Sequence, residues 1–131
     1  MNVNTVRFRD SLRRLLLALA VFIFSYALAM WQPVRSWYSD VDKLTHGLVF
    51  AGVFALLVWA LPWRLWAVAL LALAAGGAVE LHQMFLPGFT ASWADWLADG
   101  VGIGLAWAVL AAGQRLFGWP SVGRGPLKGG A

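Results

Sequence analysis

Residues 79–104 read VELHQMFLPGFTASWADWLADGVGIG, and they place Glu80, His82, Asp95 and Asp99 in a stretch that is otherwise apolar. Upstream, Asp42, Lys43 and His46 stand at the start of another apolar run. A histidine beside carboxylates can act as a general base, with one carboxylate orienting its ring. Two carboxyl groups in unlike surroundings can divide the acid and base roles between them. His46 is therefore the candidate base, oriented by Asp42 or Asp95, and Glu80 and Asp99 form the candidate acid–base pair. Lys43 offers a point charge for a phosphate. Asp42 and His46 are four residues apart, as are Asp95 and Asp99. Lys43 and His46 are three apart, as are Glu80 and Gln83. Each pair therefore shares one face of a helix. His82, two residues from Glu80, points about 200° away around the helix and is expected at the interface, outside the cluster. His46, Glu80, Asp95 and Asp99 are also a donor set for a divalent metal, and one imidazole among carboxylates suits harder ions better than zinc. No established ligand spacing such as His-Glu-x-x-His is present, so the expectation is a site without metal or other cofactor, with a divalent ion as the alternative. Ser92 is a weaker candidate nucleophile, because a helix N-cap role accounts for it.

These side chains sit in a chain that is 61% hydrophobic and 12% charged, with nine tryptophans in 131 residues. A soluble domain carries about 25% charged residues. So much apolar surface on a single domain implies that the bilayer is the solvent. The formal charge is +4, but the basic residues punctuate apolar runs and form no dense patch. That pattern indicates membrane topology and excludes a nucleic-acid partner. With no cysteine, disulfides and thiolate metal sites are excluded.

A spanning helix needs about 20 mostly apolar residues. Four runs qualify: about Leu15 to Trp31, Leu44 to Leu61, Arg64 to Leu86, and Ser92 to Phe117. Pro33, Pro62 and Pro87-Gly88 end the first three, and Ser92 is a suitable N-cap for the fourth. Lipid offers the backbone no hydrogen bonds, and the alternation of a barrel strand is absent, so continuous helices are required. The fold class is all-α, a bundle of four transmembrane helices. With both termini in the cytoplasm, the inner side holds Arg7, Arg9, Arg13, Arg14, Arg64, Arg115, Arg124 and Lys128, and the outer side only Arg35 and Lys43. The positive-inside rule selects that orientation. The chain divides into a basic cytoplasmic N-terminus (1–14), the four-helix domain (15–117) and a flexible cytoplasmic tail (118–131). The start of the chain also resembles a cleavable signal peptide ending in ALA at 27–29, but Met30-Trp31 directly afterwards fits a helix reaching the interface better.

Small residues provide packing ridges. Gly47, Ala51 and Ala55 are spaced by four, as are Gly100 and Gly104, and Gly76-Gly77 thins the third helix. Compaction of the bundle is the expected use, and homodimerisation through Gly100 and Gly104 the alternative. In this topology all three polar groups fall at the outer ends of their helices. At 1.5 Å per residue, His46 lies about 6 Å along from Asp42, Asp99 about 10 Å beyond Ser92, and Glu80 about 9 Å before Leu86. The groups therefore lie just below one interface. No polar residue stands at the midplane, which argues against a proton-coupled transporter in a monomer.

DKLTHGLVF followed by ELHQMFLPGFTASWADWLADGVG resembles the VanZ-like membrane protein family. That family shows Asp-Lys-x-x-His opening one helix, then Glu-x-x-Gln, Pro-Gly, and Ser-x-x-Asp with a polar residue four further on and Gly after it. The matching positions are Asp42, Lys43, His46, Glu80, Gln83, Pro87, Gly88, Ser92, Asp95, Asp99 and Gly102, and the resemblance spans about residues 15–115. Phe89 stands where the family commonly has Arg, and Asp99 where it commonly has Asn, so a cation is lost and an acid gained. The resemblance implies a multi-pass protein of the bacterial cytoplasmic membrane, acting in the cell envelope. The family's namesake is associated with low-level teicoplanin resistance.

Three functional readings remain open. The first is a binding or modulating protein whose outer pocket holds a lipid headgroup or a lipid-linked envelope precursor. Asp42, Lys43, Gln83 and Ser92 would be its binding residues, with Trp37, Trp93 and Trp96 either covering the ligand or forming an interfacial belt. The second is an intramembrane hydrolase or transferase acting on a lipid-linked substrate through His46, Glu80, Asp95 and Asp99. The third is a polar network that only fixes helix register.

Overall fold

The computed structural model describes residues 3–31 and 39–119. It contains four helices: α1 (Val3–Trp31), α2 (Ser39–Ala60), α3 (Leu65–Gln83) and α4 (Trp93–Phe117), with no strand among the described residues. α2, α3 and α4 are each long and apolar enough to cross a membrane. No more than 28% of the most apolar stretch of any of them is buried inside the bundle. Leu44, Leu48, Leu70, Leu97, Leu105 and Val109 are all exposed. A soluble monomer rarely shows so large a continuous apolar surface, whereas lipid solvates it.

The helix ends differ from the expected ones for local reasons. α1 is helical from Val3, so the basic segment extends the first helix. It contains neither Gly nor Pro to interrupt it, and Arg is a good helix former. α2 begins at Ser39, ahead of Leu44, which takes Asp42 and Lys43 into its opening turns. α3 stops at Gln83, short of Leu86. Pro87 disfavours the helical conformation at the residue before it, and a turn forms in which Phe85 N–H donates to His82 O and Leu86 N–H to Gln83 O. Gly88 then takes φ 84°, a conformation that glycine adopts without steric cost. α4 behaves as the sequence predicts. Ser92 Oγ accepts from Asp95 N–H at 3.3 Å, and Gly118 closes the helix in the left-handed region.

α2 is the central element and packs against the other three. Its closest approach is to α4, where a Cβ on Gly102 would lie 1.9 Å from the Gly47 carbonyl oxygen. Only backbone without side chains fits there. Gly47 thus serves the packing role expected of it, but its partner is Gly102. Gly104 has nothing within 4 Å of where its Cβ would be. Phe50, Phe54, Val68, Ala72 and Ile103 form the core between α2, α3 and α4, and Phe54 stacks on Trp107 with ring centroids 6.3 Å apart. α1 leans on α2 through Ala18, which packs with Ala60 and Leu61. Arg14 lies over the Trp59 ring at 5.3 Å. The basic part of α1, the α2–α3 turn with Arg64 and the last turn of α4 with Arg115 consequently share one end of the bundle. The polar cluster occupies the other.

Candidate functional site

Three helices deliver the cluster. α2 contributes Asp42, Lys43 and His46, α3 contributes Glu80 and Gln83, and α4 contributes Asp95 and Asp99 with Ser92 at its cap. Asp99 is 0% exposed, and Glu80, Gln83 and Asp95 are also buried. His46, Lys43 and Ser92 are half-buried, and Asp42 is exposed.

His46 is the hub. Its Nδ1 lies 3.0 Å from Asp99 Oδ1 and 4.0 Å from Glu80 Oε1. An ionised carboxylate only accepts hydrogen bonds; with Asp99 ionised, Nδ1–H donates to it, and in the neutral ring the lone pair then resides on Nε2. The partner that orients the ring is therefore Asp99. The sequence reading assigned that role to Asp42 or Asp95 and paired Asp99 with Glu80. A helix offset explains the difference: α4 meets α2 at Gly47 and Gly102, which brings the turn containing Asp99 level with His46. Asp95 lies one turn further out, towards Asp42.

Glu80 joins α3 to α4. Its Oε2 accepts from Ser92 N–H at 2.6 Å. This N–H lies at the open end of α4, where backbone donors lack intrahelical partners and a carboxylate is favoured. Ser92 therefore caps α4 through its hydroxyl and is itself held by Glu80. The other oxygen, Glu80 Oε1, is buried without a hydrogen-bond partner, as is Asp99 Oδ2.

The paired glycines of α3 have separate tasks. A Cβ on Gly76 would lie 2.5 Å from Asp99 Oδ2, so Gly76 provides the space for that carboxylate. A Cβ on Gly77 would lie 3.5 Å from Trp96 Nε1, and that indole donates to Leu73 O at 3.0 Å. Trp96 is thus tied to α3, while Trp93 is 81% exposed at the rim. Trp37 lies outside the described residues.

His82 is exposed, as expected, and stays out of the cluster. Its Nδ1 instead hydrogen-bonds the Tyr26 hydroxyl of α1. Sequence reasoning passed over Tyr26, although a phenol within a long apolar run was the signal available. One turn below it, Phe22 lines an apolar groove of about 270 Å³ together with Leu19, Leu57, Leu71 and Ala75.

Of the four donors first grouped for a metal, Glu80 and Asp99 are engaged with Ser92 and His46. The donors that gather openly are Asp42, His46 and Asp95, each offering an atom within 4.8 Å of the others. Gln83 is buried beside the cluster. The arrangement combines an imidazole fixed by a carboxylate, three further acids and a lysine in the same turn as His46. It can bind a cation or a polar group, or move a proton at Nε2. Compared with known protein families, curated proteins and solved structures, the chain matches none.

Proposed function

We propose that this chain is a four-span protein of the bacterial cytoplasmic membrane, similar to the VanZ-like family. Its polar basin faces the extracytoplasmic side and holds the headgroup of a membrane lipid or lipid-linked envelope precursor. α1 is the fourth span, and both termini are cytoplasmic. The observation that carries the reading is the convergence of His46, Glu80, Asp95 and Asp99 from three helices at one end of an otherwise apolar bundle. A charge within the membrane region is costly, by about 2.5–3.5 kcal/mol at a helix centre. Burying several acids together, at one end only, favours a site over scattered structural pairs. Lys43 supplies a positive charge for the phosphate where Phe89 replaces the family's Arg, and the exposed Trp93 borders the entrance. The apolar groove beside Phe22 offers room for an acyl chain.

The test is binding of polyprenyl phosphate, phosphatidylglycerol and phosphatidylcholine to purified protein, followed by native mass spectrometry. The phosphate monoester should bind best. Lys43→Ala should weaken it about tenfold, the lower range for removing a charged contact. Equal binding of all three lipids, or unchanged affinity in Lys43→Ala, would contradict the reading. If the VanZ-like resemblance extends to physiology, expression of the chain also raises tolerance to glycopeptides of the teicoplanin type.

A second reading, an intramembrane hydrolase or transferase acting on the same lipid class, is favoured by one feature. The His46–Asp99 pair holds an imidazole as a general base would need it. Turnover of polyprenyl phosphate or diphosphate that is lost in His46→Gln, with lipid binding retained, would separate catalysis from binding.

A further inference from the structure

We infer that Asp42, His46 and Asp95 form a binding site for one divalent cation, with Asp99 as the residue that positions the imidazole. The donor atoms of the three already lie within 4.8 Å of one another. An ion with ligand bonds of about 2.0–2.2 Å holds opposite donors up to about 4.4 Å apart. Closing the set to bonding distance requires the exposed Asp42 side chain to turn inward.

The second observation concerns the imidazole and what surrounds it. Nδ1 is committed to Asp99 Oδ1 at 3.0 Å, which leaves Nε2 as the ligating atom. Metal-bound histidines are commonly held in this way, with the other ring nitrogen donating to a carboxylate. Glu80 Oε1 faces the same imidazole at 4.0 Å, is buried and has no hydrogen-bond partner. That buried oxygen adds negative character beside the imidazole that would hold the ion. Charge points the same way. Among the residues whose side chains are described, Asp42, Glu80, Asp95 and Asp99 bring four carboxyl groups to this end, and Lys43 is the one lysine or arginine there. Buried charges persist when they are paired or coordinate metals, and a divalent ion supplies the positive charge that one lysine and one imidazole do not.

One nitrogen and two carboxylates, with coordination positions left for water or a phosphate oxygen, suit an ion of the Mn²⁺ type. This site does not depend on the headgroup reading, although an ion here would also grip a phosphate.

The experiment uses full-length protein in detergent micelles, stripped with a chelator and titrated with Mn²⁺ alone. Pulsed electron paramagnetic resonance then reads nitrogen coupling. The expected result is one Mn²⁺ per chain, coupled to one imidazole nitrogen. His46→Gln should abolish the coupling. Asp99→Asn should keep it and weaken affinity by about 10–100-fold, the usual effect of losing a carboxylate behind a ligating histidine. Asp42→Asn changes an exposed group and leaves the fold intact, so it tests the site even if a buried variant fails to fold. It should weaken binding at least about tenfold, as loss of a charged ligand would. Mn²⁺ bound without nitrogen coupling, or bound equally by wild type and Asp42→Asn, overturns the proposal. Mn²⁺ binding without lipid binding sinks only the headgroup reading.

Discussion

A carboxylate inside a membrane bundle needs a donor and it needs room, and Asp99 obtains these from different helices. His46 provides the donor and Gly76 the room. Replacing Gly76 with Ala would put a Cβ 2.5 Å from Asp99 Oδ2 and 3.3 Å from its Cγ. The carboxylate would have to leave His46 or push the helices apart. Overpacking of this kind costs about 1–3 kcal/mol, to be read from unfolding in mixed micelles. In an Asp99→Ala background the same change should cost much less, because the clash is gone, and a double-mutant cycle would measure that coupling. Additive effects would show that Gly76 does not act through Asp99. His46, Glu80, Asp95 and Asp99 were legible in the sequence because charge stands out in an apolar chain. Their pairing was not. Residue spacing fixes which side chains share a helix face, but the pairing of His46 with Asp99 depends on the offset between two helices. The part Gly76 plays in the site was illegible for the same reason, since its partner Asp99 lies on another helix.

At the scale of elements, the offset that pairs His46 with Asp99 is set by the contact between Gly47 and Gly102. Gly102→Ala should therefore separate α2 from α4, because no rotamer removes a Cβ 1.9 Å from a backbone oxygen. The expected loss is about 1–3 kcal/mol or more, with loss of the site. Gly104→Ala, which meets nothing within 4 Å, is the control and should leave stability within about 0.5 kcal/mol. Similar effects at both positions would mean that the bundle packs differently. The N-terminus of α4 was readable from Ser92, because capping is local chemistry. The end of α3 was misjudged because Pro87 acts on the residues before it. The spacing of Gly100 and Gly104 suggested a packing ridge, yet Gly102 makes the contact, and spacing alone does not tell which glycine faces a neighbour.

For the whole molecule, alternating helix directions put Arg14, Arg64 and Arg115 at one end and the acids, His46 and Lys43 at the other. The sequence showed this asymmetry plainly once four spans were marked. Orientation in the membrane decides what the basin can meet. Because the chain has no cysteine, single introduced cysteines report orientation without background. Asp42→Cys stands beside the basin, Phe85→Cys in the exposed turn after α3, and Trp63→Cys in the turn after α2, at the opposite end. The decisive measurement is labelling of these variants with a membrane-impermeant maleimide in intact cells. The account predicts that Asp42→Cys and Phe85→Cys react at once, and that Trp63→Cys reacts only after permeabilisation. Labelling of Trp63→Cys in intact cells, with the other two protected, would place the basin in the cytoplasm and contradict it.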